Sequence, residues 1–195
     1  MPLWLAGEPL VLASKSAIRH ALLRDAGVPV EVQSADIDER TIEQRSPVRD
    51  AGELAALLAR EKARTIAARL PGRLVLGADQ TLALGERRFS KPGDRAGARA
   101  QLEALRGRTH ELHSAVALMQ ETTIVFEHRE VARLTMRAFS DSFLESYLDA
   151  VGAAVTASVG GYQLERIGIQ LFERIEGEHF VNFVLKMIRL MKSLI

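Results

Sequence analysis

The sequence has 195 residues, 26 basic and 25 acidic side chains and a formal net charge of +1, with 47% hydrophobic and 26% charged residues. That balance is ordinary for a soluble globular chain, gives no bulk attraction to nucleic acid, and is long enough to bury a self-sufficient core. The absence of cysteine excludes disulfides, thiolate zinc sites and thiol catalysis, and a reducing cytoplasm is the expected compartment.

The first eleven residues include Glu8 and lack both a basic start and a long apolar stretch, so no signal peptide is expected. No run approaches the ~20 apolar residues of a membrane span. Without a repeat or a Ser/Gly-rich linker, one continuous domain over 1–195 is expected. Residues 9–13 read as a short buried strand, and Ser14-Lys15-Ser16 follows. Ile18, Ala21, Leu22 and Ala26 then recur at helical spacing, with Gly27 as a stop. Val28, Val30 and Val32 alternate as a half-exposed strand, and 34–50 is polar and reads as loop. Leu54, Leu57, Leu58, Lys62 and Ile66 predict a helix over about 51–69, closed by Pro71-Gly72. Leu74-Val75-Leu76 is a short apolar strand running into Gly77-Ala78-Asp79. Lys91-Pro92-Gly93 is a turn before an Ala- and Leu-rich helix ending near Gly107. The segment 110–138 alternates well enough for two or three strands. Ser140-Asp141 caps a helix through Leu148, Gly160-Gly161 is a sharp loop, and a last helix covers about 181–195. Strands alternating with helices give an α/β or α+β class with a mixed sheet.

Three segments could carry chemistry. Ser14-Lys15-Ser16 with Arg19 lies where a strand opens a helix, and free N–H groups, hydroxyls and cations there suit a phosphate. An N-cap with two solvated cations is the plainer alternative. Asp36, Asp38 and Glu39 place three carboxylates in four residues, either around a hard divalent cation or on a solvated turn. Asp79, after an apolar strand and among small residues, could hold a metal, accept a proton from an attacking water, or cap a turn. The small residues there would let a substrate approach the backbone. Lys62 near a core face is a snorkelling side chain in the simplest reading, and Lys91 before Pro92 either points into a cleft or is solvated. Glu61 and Arg64 read as surface charges. His110 and His113, three apart on a strand, face opposite ways and argue against a shared metal. No Walker loop, GxGxxG or GxSxG is present.

Together these segments resemble the Maf-like family. Leu10-Val11-Leu12-Ala13-Ser14-Lys15-Ser16 with Arg19 is similar to its opening motif. Ile37-Asp38-Glu39, Leu58 to Ala63, Leu76-Gly77-Ala78-Asp79-Gln80, Lys91-Pro92, and Leu102 to Gly107 with His110 follow in the family's order. Gly160 to Glu165 and Phe172 to Gly177 match its C-terminal block. The resemblance implies an elongated, two-lobed α/β fold with a central mixed twisted sheet flanked by helices and a cleft, similar to inosine triphosphate pyrophosphatases. It implies a nucleoside triphosphate pyrophosphatase that cuts the α–β anhydride, uses a divalent metal (Mg²⁺ or Mn²⁺), removes non-standard nucleotides and pairs as a homodimer. The family is also tied to arrest of cell division. By the same resemblance Ser14, Ser16 and Arg19 hold phosphate and Glu39 and Asp79 hold the metal, with Asp79 as proton acceptor. Lys62 and Lys91 neutralise the triphosphate, and Gln163 contacts substrate.

Three positions depart from the family pattern. Ala17-Ile18-Arg19 stands where Pro-Arg-Arg is usual, Arg166 where a glycine is typical, and a longer apolar and basic tail follows Phe180. Lys15 can offset the missing arginine only as a point charge. These departures motivate an alternative, a catalytically impaired nucleotide-binding regulator of cell division. The tail reads as a helix closing the core or a dimer seam, with a membrane-surface helix as the weaker option. The preferred base, dTTP or UTP against 7-methyl-GTP, is left open.

Overall fold

The computed structural model describes residue 4 and residues 7–177. Seven strands form one mixed sheet in the order β2-β1-β3-β5-β6-β7, with β4 paired to β3. The strands are β1 (Leu10–Leu12), β2 (Val30–Val32), β3 (Leu74–Leu84), β4 (Arg87–Phe89), β5 (Thr109–Gln120), β6 (Thr123–Met136) and β7 (Phe172–Glu176). Among the described residues five α-helices accompany them: α1 (Ala17–Asp25), α2 (Glu39–Arg45), α3 (Ala51–Ala67), α4 (Arg95–Leu105) and α5 (Asp141–Val151). The chain divides into two compact units. The described part of the first covers residues up to 80 and 114–130, and the second covers 81–113 and 131–177.

In the first unit β1 pairs in parallel with both neighbours, Leu10 opposite Val30 and Val11 opposite Val75. All three β1 residues are buried, as expected of a short, wholly apolar strand inside a parallel sheet. The two faces of the sheet follow strand alternation. Leu10, Leu12, Leu76, Val116 and Leu118 pack with Leu23 of α1. Val11, Val75, Ala115, Ala117 and Met119 pack with the alanines of α3.

The second unit has its own core, including Leu82, Leu102, Leu105, Leu134, Leu144 and Leu148. There β3 and β4 form a hairpin, and β7 runs antiparallel to β6.

Two expectations change. The polar stretch 34–50 is not all loop: Asp38 accepts a hydrogen bond from the Thr41 amide at 3.0 Å and starts α2. A helix of seven residues with no buried member has no apolar period to betray it. The strand expected at 74–76 continues to Leu84, so Asp79 is inside β3 and not beyond its end. Gly77 and Asp79 break the apolar run without breaking the strand. The expected helix at 181–195 lies outside the described residues. Among the described residues no helix is long and apolar enough to cross a membrane.

Candidate active site

The site grows from the contact between β3 and α3. Alternation puts Val75, Gly77 and Asp79 on the face that meets α3. Asp50 caps α3 by accepting from the Glu53 amide at 2.8 Å, and a face of small residues, including Ala55, Ala59 and Ala63, is buried. A Cβ added to Gly77 would lie 2.0 Å from the Ala59 carbonyl oxygen and 2.8 Å from the Ala63 nitrogen. The glycine therefore serves the helix: its missing side chain is filled by α3 and does not admit a substrate to the backbone, contrary to the sequence reading.

That close approach brings Lys62 of α3 over Asp79. Lys62 Nζ donates to Asp79 Oδ1 at 2.5 Å and lies 2.7 Å from Glu39 Oε1. Lys62 is 9% exposed and Asp79 7%, so this ammonium is a buried ion-pair partner and not a snorkelling one. Glu39, the first residue of α2, is exposed and reaches in from solvent. Burial pushes the Asp79 carboxyl above the usual range. Lys62 and Arg19, of opposite charge, offset part of that rise, and Glu39 adds to it.

The start of α1 completes the first unit's cluster. Ser16 is the N-cap and accepts from the Arg19 amide at 3.4 Å. Ser14, buried, accepts from the Ser16 amide and from Arg19 Nη1, each at 3.2 Å. Arg19 Nη1 also donates to the Ala78 carbonyl at 2.8 Å, which ties the α1 start to the residue before Asp79. Lys15 turns instead to Asp36 at 2.7 Å on the surface, so it is not a simple replacement for an arginine at position 18. Its ammonium, then the Ser34 hydroxyl, hold the Asp36 carboxyl below the ordinary range.

Ser14, Ser16, Arg19, Glu39, Lys62 and Asp79 thus share the first unit, while Lys91 and Gln163 belong to the second. Lys91 is exposed on the segment after β4. Gln163 is half-buried, with its backbone packed closely against Gly168. A Cβ on Gly168 would meet the Gln163 carbonyl oxygen at 2.5 Å, and its neighbour Tyr162 shares a 2.8 Å hydrogen bond with His110 Nε2. Tyr147 donates to the Gly161 carbonyl at 3.1 Å. Gln163 lines a hollow of about 200 Å³ together with Tyr147, Val151, Tyr162 and Arg166. Gly168 and the His110–Tyr162 pair escaped the sequence reading, although a glycine inside an irregular apolar stretch is a general sign of close backbone approach.

Among the described residues no group of three or more His, Cys, Asp or Glu side chains forms a ready metal cage. Two carboxylates, Glu39 and Asp79, do converge on one point. Two is the usual protein share for Mg²⁺, whose remaining ligands are waters and substrate phosphate oxygens.

Comparison with known proteins gives the chain's relatives. A protein called nucleoside triphosphate pyrophosphatase from Rhodopseudomonas palustris (strain BisB18) is 53% identical over 194 residues, 100% of this chain and 96% of that one. A 7-methyl-GTP pyrophosphatase from Mesorhizobium japonicum is 46% identical over 191 residues, 96% of this chain and 95% of that one. Among solved structures, a HAM1 protein from Coxiella burnetii superposes with a TM-score of 0.42 at 22% identity, over 67% of this chain and 74% of that one. The family model described as Maf-like protein matches residues 9–194, and the chain belongs to that family.

Proposed function

We propose that this protein is a nucleoside triphosphate pyrophosphatase that hydrolyses the α–β anhydride, releasing a nucleoside monophosphate and pyrophosphate. The observation that carries the reading is the buried Lys62–Asp79 pair, joined by Glu39 and flanked by Arg19 and Ser14 at a helix start. Relatives named as pyrophosphatases at about half identity support it.

A triphosphate carries about four negative charges near pH 7, so attack by water requires cations around the phosphoryl oxygens. Arg19 and Lys62 supply two of them in the first unit, and the family resemblance assigns the same role to Lys91. The Ser14 and Ser16 hydroxyls, which accept hydrogen bonds from the Ser16 and Arg19 amides, keep their own O–H groups to donate to phosphate oxygens at the positive end of α1. The water oxygen bonds to the α-phosphorus, the bond from that phosphorus to the bridging oxygen breaks, and pyrophosphate leaves with the bridging oxygen and its electron pair. Asp79 accepts the water's proton, a task favoured by a carboxyl whose burial raises its proton affinity. Glu39 and Asp79 would hold a divalent metal, Mg²⁺ or Mn²⁺, which when bound would supply Lewis-acid polarisation of the phosphate oxygens. The family resemblance assigns Gln163 a contact with substrate.

The removal of non-standard nucleotides, action in the cytoplasm and pairing as a homodimer belong to the same proposal and rest on the family resemblance. A second reading, nucleotide binding with impaired turnover, is favoured by Ile18, which brings no charge to α1, and by Arg166 beside Gln163 at the hollow. One experiment separates the two. Folded protein is incubated with Mg²⁺ or Mn²⁺ and a panel of standard and modified nucleoside triphosphates. Pyrophosphate release from one or more supports the enzyme and identifies the base. Binding by calorimetry without release anywhere on the panel replaces it with the regulator.

A further inference from the structure

Lys62 and a metal ion compete for the same oxygens. Its ammonium lies 2.7 Å from Glu39 Oε1 and 2.5 Å from Asp79 Oδ1, the two carboxylates that the proposed function assigns to the metal, and the inference rests on that assignment. We propose that Lys62 is a built-in counter-cation of this carboxylate pair, which suppresses binding of a free divalent ion and yields the pair only to an ion arriving with a polyphosphate.

Three features support this. The first is burial. Lys62 and Asp79 are 9% and 7% exposed, so salt and water screen a neighbouring charge poorly. The second is charge balance. Glu39 and Asp79 bring two negative charges, and Lys62 and Arg19, both acting on Asp79, bring two positive ones. A bare dication leaves this cluster with an uncompensated double charge. A dication arriving with a triphosphate of about four negative charges brings its own counter-charge and adds no positive excess to the cluster. The third is donor count. No third His, Cys, Asp or Glu joins a metal group among the described residues, so waters and phosphate oxygens must complete a hard cation's shell, and of these only the phosphates bring negative charge.

The lysine is suited to the exchange. Its ammonium is a point charge on a four-carbon stem and can turn from carboxylate to phosphate, whereas a planar guanidinium would stay locked in a fork. Glu39, on the solvent side, is the carboxylate that an entering ion meets first.

Two measurements test the proposal, and neither reads turnover. In the first, Mn²⁺ binding to nucleotide-free protein is followed by electron paramagnetic resonance at pH 7.5 for wild type and Lys62→Gln, with circular dichroism as a control for folding. The variant is expected to bind Mn²⁺ at least tenfold more tightly. Equal or weaker binding, including none in either protein, overturns the proposal. The second needs no variant to fold: the wild-type Lys62 ammonium is followed by ¹⁵N NMR. Mg²⁺ alone is expected to leave the signal in place, and Mg²⁺ with inorganic triphosphate to move it. A full shift with Mg²⁺ alone, or none with both, overturns it. Failure of pyrophosphate release would instead sink the proposed function, so the two failures are distinguishable.

Discussion

Replacing Gly77 by alanine tests the central packing argument. The added methyl would lie 2.0 Å from the Ala59 carbonyl oxygen and 2.8 Å from the Ala63 nitrogen, both backbone atoms of α3. Carbon–oxygen contacts need a little over 3 Å, so the helix must retreat by on the order of 1 Å or the strand must bend. Overpacking typically costs about 1–3 kcal/mol, and two rigid backbones with no flexible side chain between them place this site at the top, about 3 kcal/mol. For a chain of this length that corresponds to a fall of roughly 6–12 °C in Tm. The same retreat draws Lys62 away from Asp79, and a 1 Å misplacement in a catalytic cluster costs on the order of 100-fold in rate. Differential scanning calorimetry reads the first effect, and pyrophosphate release below the variant's transition reads the second. Gly93→Ala is the control, because a Cβ there meets nothing within 4 Å. If Gly77→Ala melts within 2 °C of wild type and keeps its turnover, the close approach of α3 does not position the site.

Other substitutions probe separate links. Asp79→Asn keeps the shape of the side chain and removes the proton acceptor. Turnover should fall by about 100-fold to 10,000-fold with an unchanged circular dichroism spectrum, and retained turnover would exclude Asp79 as the base. Arg19→Lys shortens the side chain whose Nη1 donates to both Ser14 Oγ and the Ala78 carbonyl, so its ammonium falls short of that position. It should cost about 1 kcal/mol in urea unfolding and weaken nucleotide binding in calorimetry. His110 provides a test of pH dependence. Burial pushes its imidazole from 6.5 down to about 4 in the folded chain. The unfolded chain therefore binds more protons between those values, and acid favours unfolding. The loss begins as pH falls below 6.5, reaches about 2 kcal/mol at pH 5, and levels off below 4. Urea titrations at pH 7.5 and 5 should show His110→Gln losing about 2 kcal/mol less than wild type. An identical loss in both would mean that His110 is not held neutral by burial.

The sequence made the apolar scaffold legible and left the polar insertions obscure. The wholly apolar β1 and the periodic, Asp-capped α3 declare themselves, because burial on one or both faces writes a pattern over several consecutive residues. By contrast α2 buries nothing, and its only local signal is Asp38 three residues before Thr41. The run through Gly77 and Asp79 looked like a strand's end because a glycine and a carboxylate normally leave a core. Here α3 fills the space at Gly77 through Ala59 and Ala63, and Lys62 compensates the charge at Asp79, and all three partners lie more than a dozen positions away in the chain. Pairings of that kind, like Arg19 with the Ala78 carbonyl or His110 with Tyr162, have no local period.

The contact between β3 and α3 also explains why a buried ion pair is tolerated at all. Replacing such a pair by apolar residues of similar size is often neutral or stabilising, so the pair is poor evidence of a structural role. The surroundings argue the same way. Gly77, Ala59 and Ala63 form a close, alanine-lined seam that could have continued past position 79 with another small apolar residue. Instead the seam opens into Lys62, Asp79 and the exposed Glu39, beside a helix start whose guanidinium donates to the same strand. A fold built for stability alone gains nothing from that arrangement. A site that must neutralise a polyphosphate, hold a dication and take up a proton needs each of these groups, and needs them on elements as rigid as a central strand and the helix packed against it.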